Sequence, residues 1–128
     1  MFQQITKGIK ISVKSTFTGI VRYEQEQYYS FSYFITIENK SDEIVKLTER
    51  FWTIFDSLNK TEFVTGKGVI GQTPTLKPND TYNYRSNCFL RSTVGAMKGS
   101  YKMINQRNQE SFLVKIPTFQ LTTTPILN

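Results

Sequence analysis

Tyr28-Tyr29-Ser30-Phe31-Ser32-Tyr33-Phe34-Ile35-Thr36-Ile37-Glu38 is the stretch that decides the fold class. Tyr29, Phe31, Tyr33, Ile35 and Ile37 recur at every second position, with Ser30, Ser32, Thr36 and Glu38 between them; Phe34 breaks the polar set. A period of two puts each set on one face of a pleated strand, whereas helical winding would scatter the apolar residues around the axis. Working outward, residues 9–17 repeat the pattern: Ile9, Ile11, Val13, Ser15 and Phe17 alternate with Lys10, Ser12, Lys14 and Thr16, and Gly19 reads as the end of that strand. Residues 24–27 read as a polar connection, and Asn39-Lys40-Ser41-Asp42 supplies turn chemistry. In residues 44–56, Val45 and Leu47 share one phase and Arg50, Trp52 and Ile54 the other. A slip of phase inside one strand predicts a β-bulge near Thr48 and Glu49.

Further on, Ser57-Leu58-Asn59-Lys60 turns the chain and residues 62–65 lead into a glycine-rich stretch. Leu76-Lys77-Pro78-Asn79-Asp80 reads as a turn, residues 81–86 as a short strand, and residues 87–98 as irregular. Tyr101 and Met103 open another strand, and residues 105–109 read as a hairpin connection. Phe112, Val114 and Ile116 alternate inward until Pro117, which has no N–H to donate and points to an edge strand. Phe119 and Leu121 continue it, and the polar tail is expected to fray. The sum is seven or eight short strands with frequent turn signals and no helical window. This predicts an antiparallel β-sandwich of immunoglobulin or fibronectin type III kind, with a barrel as runner-up.

At 128 residues the chain is sized for one domain, spanning residues 1–128, that buries roughly two-thirds of its unfolded surface. Ten Phe, seven Tyr and one Trp favour strands over helices. Cys88 is the single cysteine, so no intrachain disulfide can form. The N-terminus lacks the apolar run of a secretion signal, and no stretch approaches the ~20 residues of a transmembrane helix, so the expectation is a cytoplasmic protein with no membrane contact. Net charge is +6, but lysine and arginine are scattered with no run of three. That reads as solubility charge, and nucleic acid is not the expected partner. The chain has no histidine, which removes the usual triad base and the commonest metal ligand.

The glycine-rich stretch is Gly66-Lys67-Gly68-Val69-Ile70-Gly71. Its G-x-G-x-x-G spacing matches a dinucleotide loop, but such a loop must open a helix, and Pro74 and Pro78 follow. The lysine is also misplaced for a Walker loop. Two readings stand: a turn that needs positive φ, or a nest of backbone N–H groups that binds a small anion such as pyrophosphate or a nucleotide phosphate, with Lys67 and Arg50 adding charge. Arg50 shares the phase of Trp52, the expected core tryptophan, and a partly buried guanidinium needs a partner, for which Asp56 or Glu49 are candidates. Arg85, Arg91, Lys98 and Lys102, with Tyr82, Tyr84 and Tyr101, form a loose basic and aromatic set that reads as solvated charge. Cys88 has no base to activate it, no carboxylate pair forms an acid–base couple, and no carboxylate spacing supports a metal site. No catalytic residue is assigned.

Taken together, these motifs resemble the bacterial ApaG family, also called CorD. The matching elements are Phe31-x-Tyr33-x-Ile35-x-Ile37-x-Asn39, Leu47-x-x-Arg50-x-Trp52-x-Ile54, Val64-x-Gly66-x-Gly68-Val69-x-Gly71-x-x-Pro74-x-Leu76-x-Pro78, Tyr84-x-Ser86, Gly95-x-Met97-x-Gly99-x-Tyr101, and Phe112-x-Val114-x-Ile116-Pro117-x-Phe119-x-Leu121. They run in order over most of the chain. The resemblance implies a fibronectin type III-like sandwich, a link to cobalt and magnesium resistance or efflux, partner-binding duty, and pyrophosphate or nucleotide binding at the glycine motif; it brings no settled enzymatic activity. The sequence departs from the family pattern in Phe51, where many members have histidine, in Asn79, where glycine is usual, and in Arg91, where an acidic residue is common. The expectation is a non-enzymatic module that binds an as yet unknown protein partner, with small-anion binding as the alternative.

Overall fold

The structure is a computed structural model and describes residues 1–123. Nine strands are found among them: β1 (Phe2–Thr6), β2 (Ile9–Tyr23), β3 (Glu26–Asn39), β4 (Val45–Asp56), β5 (Glu62–Lys67), β6 (Thr75–Leu76), β7 (Thr81–Leu90), β8 (Val94–Asn105) and β9 (Ser111–Thr122). They form two antiparallel sheets in the orders β1-β2-β3-β7 and β5-β4-β8-β9, with β6 beside β4. Neither sheet closes on itself, so the architecture is the expected sandwich and not the barrel. No helix is present among the described residues, and none is long and apolar enough to cross a membrane.

The alternation of residues 29–37 becomes the inner face of β3, where Phe31, Ile35 and Ile37 are almost completely buried against Ile9, Ile11 and Val13 of β2. Trp52 sits edge-on to Tyr33, Tyr101 and Phe119 and joins the inner faces of the two sheets. The bulge expected near Thr48 is there, as a register shift between Leu47 and Glu49.

Four expectations change. Gly19 does not end β2; the register shifts between Phe17 and Gly19, and the strand runs on to Tyr23. The turn that follows is confined to Glu24 and Gln25, both at positive φ, because Glu26 and Gln27 already pair in β3. Residues 87–98 are not irregular: β7 continues to Leu90 and β8 starts at Val94. Gly95 and Gly99 lie within β8. They are strand residues over which the carbonyls of Phe55 and Phe51 pass so closely that an added Cβ would lie 2.3 and 2.1 Å from them. Finally, β1 and the short β6 raise the strand number above the expected seven or eight. Pro117 lies at a register shift in β9, the last strand of its sheet, as its missing donor requires. The fraying expected of the tail concerns residues 124–128, which lie outside the described residues.

The sheets are tied along one side. There Ser15 Oγ donates to the Gln120 carbonyl at 3.1 Å, and the Lys115 N–H donates to Thr6 Oγ1 at 3.3 Å. Along the opposite side the edge strands β7 and β5 face each other across a cleft.

Candidate functional site

The glycine motif is a hairpin continuing from β5. Gly66 and Lys67 are its last two strand residues and Gly68 follows. The Gly68 N–H donates to the Thr48 carbonyl at 2.8 Å, and Val69 and Gln72 exchange N–H···O bonds of 2.8 and 2.9 Å. Ile70 and Gly71 form the two-residue tip with φ of +47° and +72°, the twist that a tight hairpin selects. Gly68 has φ +63°, and a Cβ there would lie 2.0 Å from the Gln72 carbonyl oxygen, the acceptor of the Val69 bond. Val69 is buried in the core while Ile70 is exposed. A β-branched residue at positive φ is a strained tip, at a cost of about 1–3 kcal/mol.

Arg50 reaches this hairpin from β4. It lies opposite Gly66 in the register, and its Nη1 donates to the carbonyls of Lys67 and Gly68, both at 3.1 Å. A Cβ on Gly66 would come within 2.6 Å of the guanidinium, so the missing side chain is what lets the arginine lie across β5. Neither carboxylate proposed as its partner is used. Glu49 is one residue away and therefore on the opposite face, where it pairs with Lys102 at 3.8 Å. Asp56 instead accepts the N–H groups of Leu58 and Arg91 at 3.1 and 2.6 Å. Burial would raise the Asp56 pKa, but these bonds and that from Ser92 prevail and lower it.

Arg50 also lines the cleft of about 430 Å³ between β5 and β7. Tyr33, Trp52 and Met97 form its inner part; Glu62 and Val64 come from β5, and Ser86, Asn87 and Cys88 from β7. Ile54 stands opposite Glu62 and Arg50 opposite Gly66, so the acid and the guanidinium are four strand positions apart, roughly 13 Å along the cleft. The Tyr33 hydroxyl is raised in pKa by burial, against a hydrogen bond with Ser86 and the nearby Arg50 charge. Behind it the hydroxyls of Tyr84 and Tyr101 bond to each other, both held neutral by burial. Burial pushes the Cys88 thiol up to about 12, which leaves it un-ionised near neutral pH.

The second basic set does not stay together. Tyr84 and Tyr101 point into the core; Arg85 lies over the Phe34 ring, and Arg91 pairs with Glu26 at 2.5 Å and covers Tyr28. Lys98 and Lys102 belong to the other sheet. Among the described residues no three His, Cys, Asp or Glu side chains gather as a metal-binding group. Reasoning from the sequence singled out Arg50 and the glycines but missed Tyr33, Glu62, Ser86 and Asn87 as its neighbours in space. They come from three different strands, and no local signal joins them.

The fold is thus that of a small immunoglobulin-like antiparallel sandwich with one tied and one open side. An ApaG domain profile matches residues 21–105. Protein ApaG of Mesorhizobium japonicum is 40% identical over 121 residues, covering 94% of this chain and 92% of its relative. That of Shewanella halifaxensis is 38% identical over 125 residues, with 98% of each chain covered. The crystal structure of the ApaA protein from Bordetella pertussis superposes with a TM-score of 0.80 at 31% identity, covering 90% of this chain and 93% of the other. The chain belongs to the ApaG family.

Proposed function

We propose that this chain is a non-enzymatic binding module that takes an extended segment of a partner protein along its open side. The observation that carries the reading is the cleft between two edge strands that pair on one side only, β7 with β3 and β5 with β4. Such edges present unused backbone groups to an added strand, and the cleft beside them accepts alternate side chains. Arg50 near one end and Glu62 near the other give the site a polarity, favouring an acidic side chain at the first and a basic one at the second. The family's link to cobalt and magnesium resistance is, on this reading, exerted through the partner, inside the cytoplasm.

The test compares the wild-type chain with an Arg50→Glu/Glu62→Lys charge swap as bait in affinity capture. The segment of the recovered partner that binds is then titrated into ¹⁵N-labelled protein. Loss of capture by the swap, with amide shifts clustered in β5 and β7, supports the reading. Unchanged capture, or shifts confined to β1 and β9, overturns it.

A second reading, small-anion binding at residues 66–71, is favoured by the exposed Lys67 and by the tip amides of Ile70 and Gly71, which donate to no backbone carbonyl among the described residues. The Gly68, Val69 and Gln72 amides are already used within the hairpin region, so pyrophosphate or a nucleotide phosphate would rely on the tip, Lys67 and Arg50. Saturable shifts at Lys67, Ile70 and Gly71 on adding pyrophosphate and then ADP would establish it; flat spectra at millimolar ligand would leave the hairpin as a turn.

A further inference from the structure

Four of the chain's eleven lysines, far apart in sequence, meet on the outer face of the second sheet. Because alternate side chains point to opposite faces, the buried Trp52 and Met97 on the inner side place Phe51, Thr53 and Phe55 of β4 and Lys98, Ser100 and Lys102 of β8 outward. The register sets Phe63 and Lys67 of β5 beside Thr53 and Glu49, and Leu113 and Lys115 of β9 beside Lys102 and Ser100. The centre of this face therefore carries Lys67, Lys98, Lys102 and Lys115 against the carboxylate of Glu49, which Lys102 already meets at 3.8 Å.

Aromatic rings are interleaved with these charges. Phe63 is 76% exposed, and Lys98 Nζ stands 5.5 Å from the centroid of the half-open Phe55 ring. Phe51 forms a ridge between two shallow depressions of about 420 and 450 Å³. Lys98 and Lys115 line the first, and Lys67 the second.

We propose that the outer face of the second sheet binds single-stranded nucleic acid, with bases stacking on Phe51, Phe55 and Phe63 and phosphates lying against Lys67, Lys98, Lys102 and Lys115. Every base has a π-face, so rings set among cations recognise a single strand without reading its sequence. An acidic peptide would match the lysines and leave the rings unmatched. An anionic membrane calls for apolar groups gathered at one protruding edge, whereas here the rings of β4 and β5 share the face with lysines of β5, β8 and β9. This surface is distinct from the cleft between β5 and β7 and stands or falls separately from it.

The experiment is fluorescence anisotropy of the full chain with labelled oligo(dT) and oligo(rU) of about twelve nucleotides, within the usual footprint of such surfaces. Saturable binding that weakens steeply with added salt is expected. Lys98→Glu/Lys115→Glu should weaken it at least about tenfold and flatten the salt dependence. Phe63→Ala, a change at an exposed position, should weaken it about tenfold with the salt dependence kept. Lys14→Glu makes the same kind of charge change on the first sheet and should leave it within about twofold. The proposal is overturned if neither oligonucleotide saturates at about 100 µM protein. It is equally overturned if Phe63→Ala is neutral while a duplex of the same length binds as tightly, if Lys14→Glu weakens binding as much as the double substitution, or if phosphatidylserine vesicles bind and oligonucleotides do not.

Discussion

The two sides of the sandwich are built differently. On the side of β1 and β9, Ile9, Ile11, Val13, Val114 and Ile116 are fully buried, and two hydrogen bonds cross from sheet to sheet. On the side of β5 and β7 the sheets part over Tyr33, Arg50 and Trp52, residues with an apolar body and a polar tip. The first side is sealed by side chains that gain only from leaving water; the second is lined by side chains whose polar ends are held by hydrogen bonds, Arg50 to the Lys67 and Gly68 carbonyls and Tyr33 to Ser86. Stability and recognition are thereby assigned to opposite edges of one core.

Substitutions should separate the two. Ile116→Ala on the sealed side removes a fully buried side chain from a close-packed layer. It should cost about 3–4 kcal/mol in urea unfolding and leave binding by the folded fraction unchanged. Gly68→Ala forces a side chain into positive φ and against the Gln72 carbonyl, for an expected loss of about 2 kcal/mol. It should also disturb the open side, since the Gly68 carbonyl holds Arg50. If partner binding survived in that variant, the hairpin and the cleft would be independent.

Arg50→Met is the sharper probe. The bonds lost are to partly accessible carbonyls, so stability should fall by no more than about 1 kcal/mol, while affinity for an acidic segment falls at least about tenfold. Thermal melts and titration calorimetry would show whether the two effects part company. Ile70→Asn should go the other way and gain about 0.5–1 kcal/mol, because asparagine accepts the left-handed tip that isoleucine resists. The smallest effect concerns pH. The folded-state pKa of Asp56 is lowered, so its contribution is present above the ordinary aspartate value and is lost as pH falls below about 4 through the lowered one. Asp56→Asn should flatten that part of an acid-unfolding curve.

The identity of the fold was legible because its signals are local. Alternation in residues 29–37 and the phase slip at Thr48 each report on neighbours a few residues away, and each has its counterpart in the structure. Residues 87–98 misled because Gly95 of β8, where the Phe55 carbonyl passes close, has no side chain to show the alternation of a strand. The candidate site was half visible: Arg50 and the glycines stood out, but their pairing through the Lys67 and Gly68 carbonyls did not.

Chain order alone was enough for strand periodicity, sheet class and the lack of histidine, since these depend on residue type and spacing. The open cleft, the switch of Glu49 away from Arg50 toward Lys102, and the gathering of Lys67, Lys98 and Lys115 onto one face came only with tertiary structure. Strand order and register set which distant residues become neighbours, and a shift of one position would turn each of these side chains to the other face.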